Sequence, residues 1–163
     1  MTISVIIPAC DAQATLPRAL ASVRAQTDED WEAIIVSDDE YDYAVFLSAK
    51  GLNDHRFRYA STGRTRSGCH NARNIGFEFV TGDYVTQLDA DDELSATRFA
   101  TLKQLAARSG AAADNLLMID EVTESKIATV MGEIEGVHHI DLRKFMTLNA
   151  PLVPLIRRDH MLP

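Results

Sequence analysis

Residues 3–8, ISVIIP, form an almost unbroken β-branched run, and residues 32–37, EAIIVS, form another. A strand with one wet face alternates apolar and polar side chains. An unbroken run is the pattern of a strand covered on both faces. Between and after these runs come segments with apolar residues at helical spacing. In 15–26 they are Leu16, Leu20 and Val23, with Thr15 as the expected N-cap and Pro17 in the first turn. In 68–81 they are Ala72, Ile75 and Phe79, with Gly82 expected to cap the helix end; in 95–109 they are Leu102, Leu105 and Ala106. Residues 56–61, RFRYAS, alternate and read as a more exposed strand, while 83–88, DYVTQL, and 115–120, NLLMID, continue the series. A hairpin is expected from 126–133 and 135–142, and 144–163 carries no firm pattern. Strands alternating with helices imply an α/β fold, a mostly parallel sheet flanked by helices.

The 163 residues suit a single domain spanning 1–163. A net charge of −8 argues against nucleic acid or an anionic membrane as a non-specific partner, but not against an anionic small molecule neutralised by a metal or a local basic group. No apolar run approaches the roughly 20 residues of a membrane span. The apolar start lacks a preceding basic region, so a signal peptide is not expected. Cys10 and Cys69 have no metal-like spacing and read as free thiols of a reducing cytoplasm.

In such a sheet ligands bind outside the carboxyl ends of the strands. PACD, SDDEYD and LDADD all fall at those ends, so three polar or acidic clusters should converge on one edge. Within Asp89-Ala90-Asp91-Asp92, Asp89 and Asp91 are two apart and project to one side of an extended chain. Two such carboxylates suit a hard cation, Mg²⁺ or Mn²⁺, shared with substrate phosphates. The plainer alternative is an acidic helix start, where the dipole welcomes carboxylates, and Asp92 and Glu93 fit that role. A carboxylate of Asp38-Asp39-Glu40, after the second strand, could accept a hydrogen bond from a base N–H, or the cluster could be a solvated turn. Residues 68–76, GCHNARNIG, are the basic counterpart: Gly68 permits a tight helix entry, and Arg73 offers a planar fork to phosphate. His70, and the adjacent His138 and His139, read as structural. Neither GxGxxG after the first strand, GxxxxGK[ST], GxSxG nor HExxH occurs.

In this order the pieces resemble the N-terminal, nucleotide-sugar-binding portion of a family 2 glycosyltransferase of the GT-A fold. ISVIIPACDAQATLPRALASVRAQT resembles the family's opening strand and helix, WEAIIVSDDEYD the segment that usually ends in DDGS, and GCHNARNIGFEFVTGDYVTQLDADD the Ala-Arg-Asn helix leading into its DxD strand. The resemblance covers residues 3–105 well and is thin beyond. It implies a nucleotide-diphosphate-sugar donor, most often UDP-linked, a hydroxyl acceptor, Mn²⁺ or Mg²⁺ as cofactor, and inversion. It places Asp38 at the base, Pro8 and Ala9 along the nucleoside, Arg73 at the diphosphate, Asp89 at the ribose, and Asp91 with Asp89 at the metal. A bacterial polysaccharide role and a cytoplasmic location follow at the level of the family, with peripheral contact at the inner membrane face and a homo-oligomer left open.

Two departures stand out. Cys10-Asp11 replaces an aromatic residue and Asn, and Ser37-Asp38-Asp39-Glu40 replaces DDGS. The acceptor-activating base is expected beyond Pro163, since the chain reads as part of a longer domain; Asp120 and Glu121 stand at the wrong place in the family order. The alternative is a non-catalytic nucleotide-binding module on the same fold. A receiver-type regulatory domain is disfavoured, because only one acid follows the first strand.

Overall fold

The computed structural model describes residues 1–120, 122–141, 143 and 152–161. In chain order the elements are β1 (Ile3–Ala9), α1 (Leu16–Arg24), β2 (Trp31–Ser37), α2 (Tyr43–Ala49), β3 (Phe57–Ser61), α3 (Cys69–Glu78), β4 (Tyr84–Gln87), α4 (Arg98–Ser109), β5 (Ala111–Ala112), β6 (Leu117–Ile119), β7 (Lys126–Thr129) and β8 (Leu155–Arg157). Met1–Ala112 with Pro154–Pro163 form one compact unit, and Ala113–Val153 form a second.

The first unit is built on a six-stranded sheet of order β3-β2-β1-β4-β8-β5. β3, β2, β1 and β4 are mutually parallel, whereas β8 runs antiparallel to both β4 and β5. This is the mostly parallel α/β sheet implied by the two unbroken runs, and both faces of those runs are covered. Ile3, Val5, Ile7, Ala33 and Ile35 pack with Leu16, Leu20, Val23, Leu47, Phe99 and Leu102 in one core cluster. Ile6, Ile34 and Val36 point the other way, onto Ala72 and Val85. β3 lies at the sheet edge and is half-buried, in keeping with its alternating sequence.

Glu32 accounts for the one acid in a buried strand. Its carboxylate accepts from the Ser4 hydroxyl at 2.6 Å and from the Thr81 N–H and hydroxyl at 2.8 Å, and pairs with Arg58 at 3.2 Å. Burial pushes its carboxyl up, but these donors outweigh burial and hold it below the usual carboxylate range.

Several local expectations are corrected. Thr15 stands at the N-cap of α1 but makes no side-chain capping bond; backbone N–H groups of Thr15 and Leu16 close the turn on the Ala12 carbonyl instead. α3 ends at Glu78 with Phe79 at the C-cap position, and Gly82 is not its cap. A Cβ on Gly82 would lie 2.6 Å from the Thr2 carbonyl oxygen and 2.7 Å from Ser4 Oγ, so this glycine is required by close backbone approach. Gly76 likewise lets α3 seat on the sheet, where a Cβ would meet Ile6 Cγ2 at 2.5 Å. The segment 115–120 does not extend the parallel sheet: β6 pairs antiparallel with β7 in a two-stranded sheet of the second unit. The hairpin is therefore Leu117–Ile119 with Lys126–Thr129, and His138 and His139 lie in irregular chain. α2 has no counterpart in the sequence reading; Asp42 caps it by accepting from the Val45 N–H at 2.9 Å.

Candidate functional site

The carboxyl ends of β1, β2 and β3 are level, with Ala9 opposite Ser37 and Ser37 opposite Ser61. β4 runs beside β1 and continues past Gln87, where Leu88 N–H still donates to the Ile6 carbonyl at 3.0 Å. The three acidic segments thus leave adjacent strands at one edge of the sheet, the convergence that the alternation predicts.

Asp38 and Asp39 organise the base of this edge. Asp38 is 3% exposed, and its backbone N–H donates to the Ala9 carbonyl at 2.8 Å. Its Oδ1 accepts from the Thr62 hydroxyl at 2.8 Å, the Ser67 hydroxyl at 2.5 Å and the Ser67 N–H at 3.1 Å; its Oδ2 accepts from the Gly68 N–H at 2.8 Å. Burial would raise its carboxyl, but these donors prevail and hold it below the usual range. Asp38 therefore faces the loop 62–68 and fastens it to β2. A direct base contact would have to displace one of four donors or add a fifth. Gly68, with φ of 102°, adopts a backbone conformation that presents its N–H to Asp38 and starts α3. Asp39 accepts from the Asp11 N–H at 2.7 Å and the Tyr43 hydroxyl at 2.8 Å, tying the loop after β1 to α2. Asp39 is thus structurally engaged, and Glu40 turns the chain at φ of 59°.

On the other side of β1 lies the Asp89–Glu93 segment. α4 begins only at Arg98 and has no acid in its first turn, so these carboxylates do not cap a helix. The expectation that Asp92 and Glu93 serve the following helix is corrected in the same way: Asp92 N–H closes a turn on the Asp89 carbonyl at 3.1 Å, and Glu93 pairs with Arg18 at 3.0 Å. Asp89 Oδ1 accepts from Arg73 Nη2 at 2.5 Å. Arg73 thus reaches the acidic segment directly, with Nη1 3.7 Å from Cys69 Sγ and Nε buried without a hydrogen-bond partner among the described residues. The Asp91 carboxylate is exposed and makes no hydrogen bond or ion pair among the described residues. Asp92 feels the crowding: partial burial first, then the charges of Asp91 and Asp89, push its carboxyl above the usual range.

What holds this acidic loop is a feature the sequence reading passed over. Arg18 donates to the Asp91 carbonyl at 2.9 Å, Ser22 Oγ accepts from the Leu94 N–H at 3.0 Å, and Gln26 donates to the Ser95 carbonyl at 2.8 Å while accepting from the Phe99 N–H at 3.0 Å. These three residues recur every fourth position along and just beyond α1, so they share one side of it. A polar i, i+4, i+8 stripe beside the apolar Leu16-Leu20-Val23 stripe was the available signal.

The described residues contain no group of three or more side chains suited to a metal. Residues 89–92 form a turn and not the extended stretch that would project Asp89 and Asp91 to one side, but the two carboxylates are of the kind that suits a hard divalent cation. They are oxygen donors, one of them exposed and without a partner among the described residues, on a loop fixed from α1. A cation held by so few protein ligands takes its remaining oxygens from water or from phosphate. Elsewhere, Asp120 accepts from the Thr123 N–H at 2.7 Å and hydroxyl at 2.8 Å and is spent on its own turn; Glu121 lies outside the described residues. Cys10 and Cys69 are both free and exposed.

A mostly parallel sheet with a carboxylate-rich carboxyl edge defines an open-sheet α/β protein, a class whose ligands bind at that edge. Residues 4–144 match the model of Glycosyl transferase family 2, and the chain belongs to that family. It is 35% identical over 106 residues to the GalNAc(5)-diNAcBac-PP-undecaprenol beta-1,3-glucosyltransferase of Campylobacter jejuni, a match covering 64% of this chain and 34% of that protein. It is 28% identical over 160 residues to the succinoglycan biosynthesis protein ExoO of Rhizobium meliloti, covering 97% of this chain and 44% of that protein. Among solved structures, S. aureus TarS 1–349 superposes with a TM-score of 0.71 at 20% identity, over 96% of this chain and 47% of that one. The fold is accordingly GT-A. The chain spans about a third of the length of the first curated relatives it matches. No described helix is long and apolar enough to cross a membrane.

Proposed function

We propose that this edge binds a nucleotide-diphosphate sugar, with uridine as the base, as the donor for transfer to a hydroxyl acceptor. The observation that carries the reading is the pairing of Arg73 with Asp89, two residues before the exposed Asp91 on the same turn. It sets a cation and a cation-binding acid together where a diphosphate can meet both. Pro8 and Ala9 would border the nucleoside, Asp38 would shape its polar side through the loop 62–68, and Asp89 would orient toward the ribose. Asp91, with one oxygen of Asp89, would hold Mn²⁺ or Mg²⁺. Such a cation, when bound, supplies Lewis-acid stabilisation of the leaving diphosphate. Arg73 adds a fixed positive charge on the same side, and this is how a chain of net charge −8 admits an anionic donor.

Support for uridine comes from relatives: an Escherichia coli protein that matches 90 residues at 30% identity is a UDP-Glc:alpha-D-GlcNAc-diphosphoundecaprenol beta-1,3-glucosyltransferase, and TarS has been solved with UDP-GlcNAc. Support for the metal comes from a mannosyltransferase of Pyrobaculum calidifontis solved with GDP-Man and Mn2+, a fold match at TM-score 0.57. A lipid-linked acceptor at the membrane face is consistent with the undecaprenol-linked substrates in the names of two relatives. An inverting transfer needs a carboxylate to take the acceptor proton, and no described residue is assigned that role.

The test is a thermal melt with UDP, GDP, ADP and CDP, each with Mn²⁺. A nucleotide at about 100 times its dissociation constant adds about 2.7 kcal/mol, which is a rise of about 5–10 °C for a chain of this size. UDP is expected to give the largest rise. A larger rise with GDP would overturn the choice of base, and no rise with any nucleotide would overturn the donor site.

A further inference from the structure

One ion pair at the carboxyl edge of the sheet has no part in the donor site as proposed. Arg66 Nη2 donates to Asp11 Oδ2 at 2.5 Å, with both side chains largely exposed, 73% and 62%. Asp11 leaves the end of β1 and Arg66 belongs to the loop after β3, so the pair joins these two loops next to the end of β2. Both backbones are strained: Asp11 has φ of 53° and Arg66 φ of 55°, conformations that cost a side-chain-bearing residue free energy and persist only where the surroundings impose them. The surroundings here are specific. Asp39 receives the Asp11 N–H at 2.7 Å, and the Arg66 N–H donates to the Asp38 carbonyl at 2.6 Å. The two acids at the end of β2 therefore aim both partners at one point.

The strand order says which part of a nucleotide that point meets. Arg66 and Asp11 stand over β2 and β1, while Asp89 and Asp91 leave β4 on the far side of β1. With strands about 4.8 Å apart, phosphates at the β4 acids leave the ends of β1 and β2 to the nucleoside. That end of the site has little to offer the flat face of a base. Ala9 is buried, Cys10 is small, and Tyr41, though 41% exposed, is set edge-on against Tyr43 at 5.1 Å and Phe46 at 5.8 Å. Arg66 carries an exposed planar group there that is tied to the end of β1 through Asp11, and a guanidinium stacks on aromatic faces as an ammonium does not.

We propose that Arg66 is the base-stacking residue of the donor site and that Asp11 is its latch. Without nucleotide the guanidinium rests on Asp11; when a nucleotide enters, it leaves Asp11 and lies against the base. The latch is suited to opening, because an exposed ion pair contributes only about 0–1 kcal/mol. The inference rests on the donor-site reading and adds to it a base-contacting residue outside the Arg73-Asp89-Asp91 group.

The test is calorimetric titration of UDP and of uridine, both with Mn²⁺, into the unchanged chain and into Arg66→Gln, Arg66→Lys, Asp11→Asn and the Asp11→Asn/Arg66→Gln pair. Arg66→Gln is expected to weaken UDP and uridine by the same factor, about tenfold, as for loss of one stacking contact. Arg66→Lys is expected to restore little, since the charge returns without the plane. Asp11→Asn, which keeps a residue tolerant of positive φ, is expected to tighten both ligands about two- to fivefold, and to have no effect once Arg66 is glutamine. Unchanged affinity in Arg66→Gln overturns the proposal, as does full rescue by lysine or a loss confined to UDP, which would make Arg66 a phosphate contact. Failure of the unchanged chain to bind UDP removes the donor site itself, a result distinct from normal UDP binding that ignores Arg66.

Discussion

Asp91→Asn is expected to abolish the gain in UDP affinity that Mn²⁺ provides while leaving the melting temperature almost unchanged. The two halves of this expectation have separate causes. Asp91 is exposed and has no hydrogen bond or ion pair among the described residues, so its carboxylate contributes little to folding, within about 0.5 kcal/mol. Its loss even relieves Asp92, whose carboxyl is raised in part by the charge of Asp91. For the cation the change is large. Neutralising one of two carboxylate ligands should cost at least as much as the loss of an outer contact to a ligand, about 10- to 100-fold in metal affinity. The measurement is UDP affinity at rising Mn²⁺ for both chains. A normal Mn²⁺ dependence in Asp91→Asn would leave this carboxylate without a role at the metal.

Asp38→Ala is expected to behave in the opposite way, as a folding defect first. Four donors converge on its buried carboxylate, three of them from Ser67 and Gly68. Removing the acceptor frees the loop 62–68 and leaves two backbone N–H groups to find other partners. At the magnitudes of hydrogen bonds to a charged group the cost is about 3 kcal/mol, a fall of about 6–12 °C in melting temperature. Asp38→Asn is the sharper variant. Its size is unchanged, but its NH₂ must face a donor on one side, so it should lose nearly as much stability as alanine. A stable Asp38→Asn chain that has lost only nucleotide binding would instead show that Asp38 contacts the base itself. Thermal melts of both variants, followed by UDP titration, decide between the two.

The contrast between Asp91 and Asp38 also shows where sequence reasoning reaches its limit. The parallel sheet is legible because burial on both faces leaves a mark on consecutive residues, ISVIIP and EAIIVS, that needs no knowledge of partners. The convergence of the acidic segments is legible because it follows from sheet geometry. The direction in which each acid points is not. Asp38 turns inward because Thr62, Ser67 and Gly68, some 24 to 30 positions away, offer donors to it. Nothing in SDDEYD announces this. α2 is missed for a related reason: Tyr43–Ala49 is short and rich in apolar residues, and is marked as a helix only by the Asp42 cap. β8 joins the sheet from a tail without pattern, since three residues held between β4 and β5 need tertiary hydrogen bonds and little periodicity. β6 goes the other way, satisfying its backbone with the nearest strand in sequence, β7. The Arg18-Ser22-Gln26 stripe was visible, yet it acquires meaning only once the acidic loop is seen lying against it.

We propose that this edge holds a uridine nucleotide through a divalent cation at Asp91. This binding is tested most directly by calorimetric titration of UDP into the chain in Mn²⁺, repeated after chelation with EDTA. Saturable binding at one site is expected in Mn²⁺, weakening sharply when the metal is removed. Equal affinity with and without metal, or no binding in either condition, would contradict it.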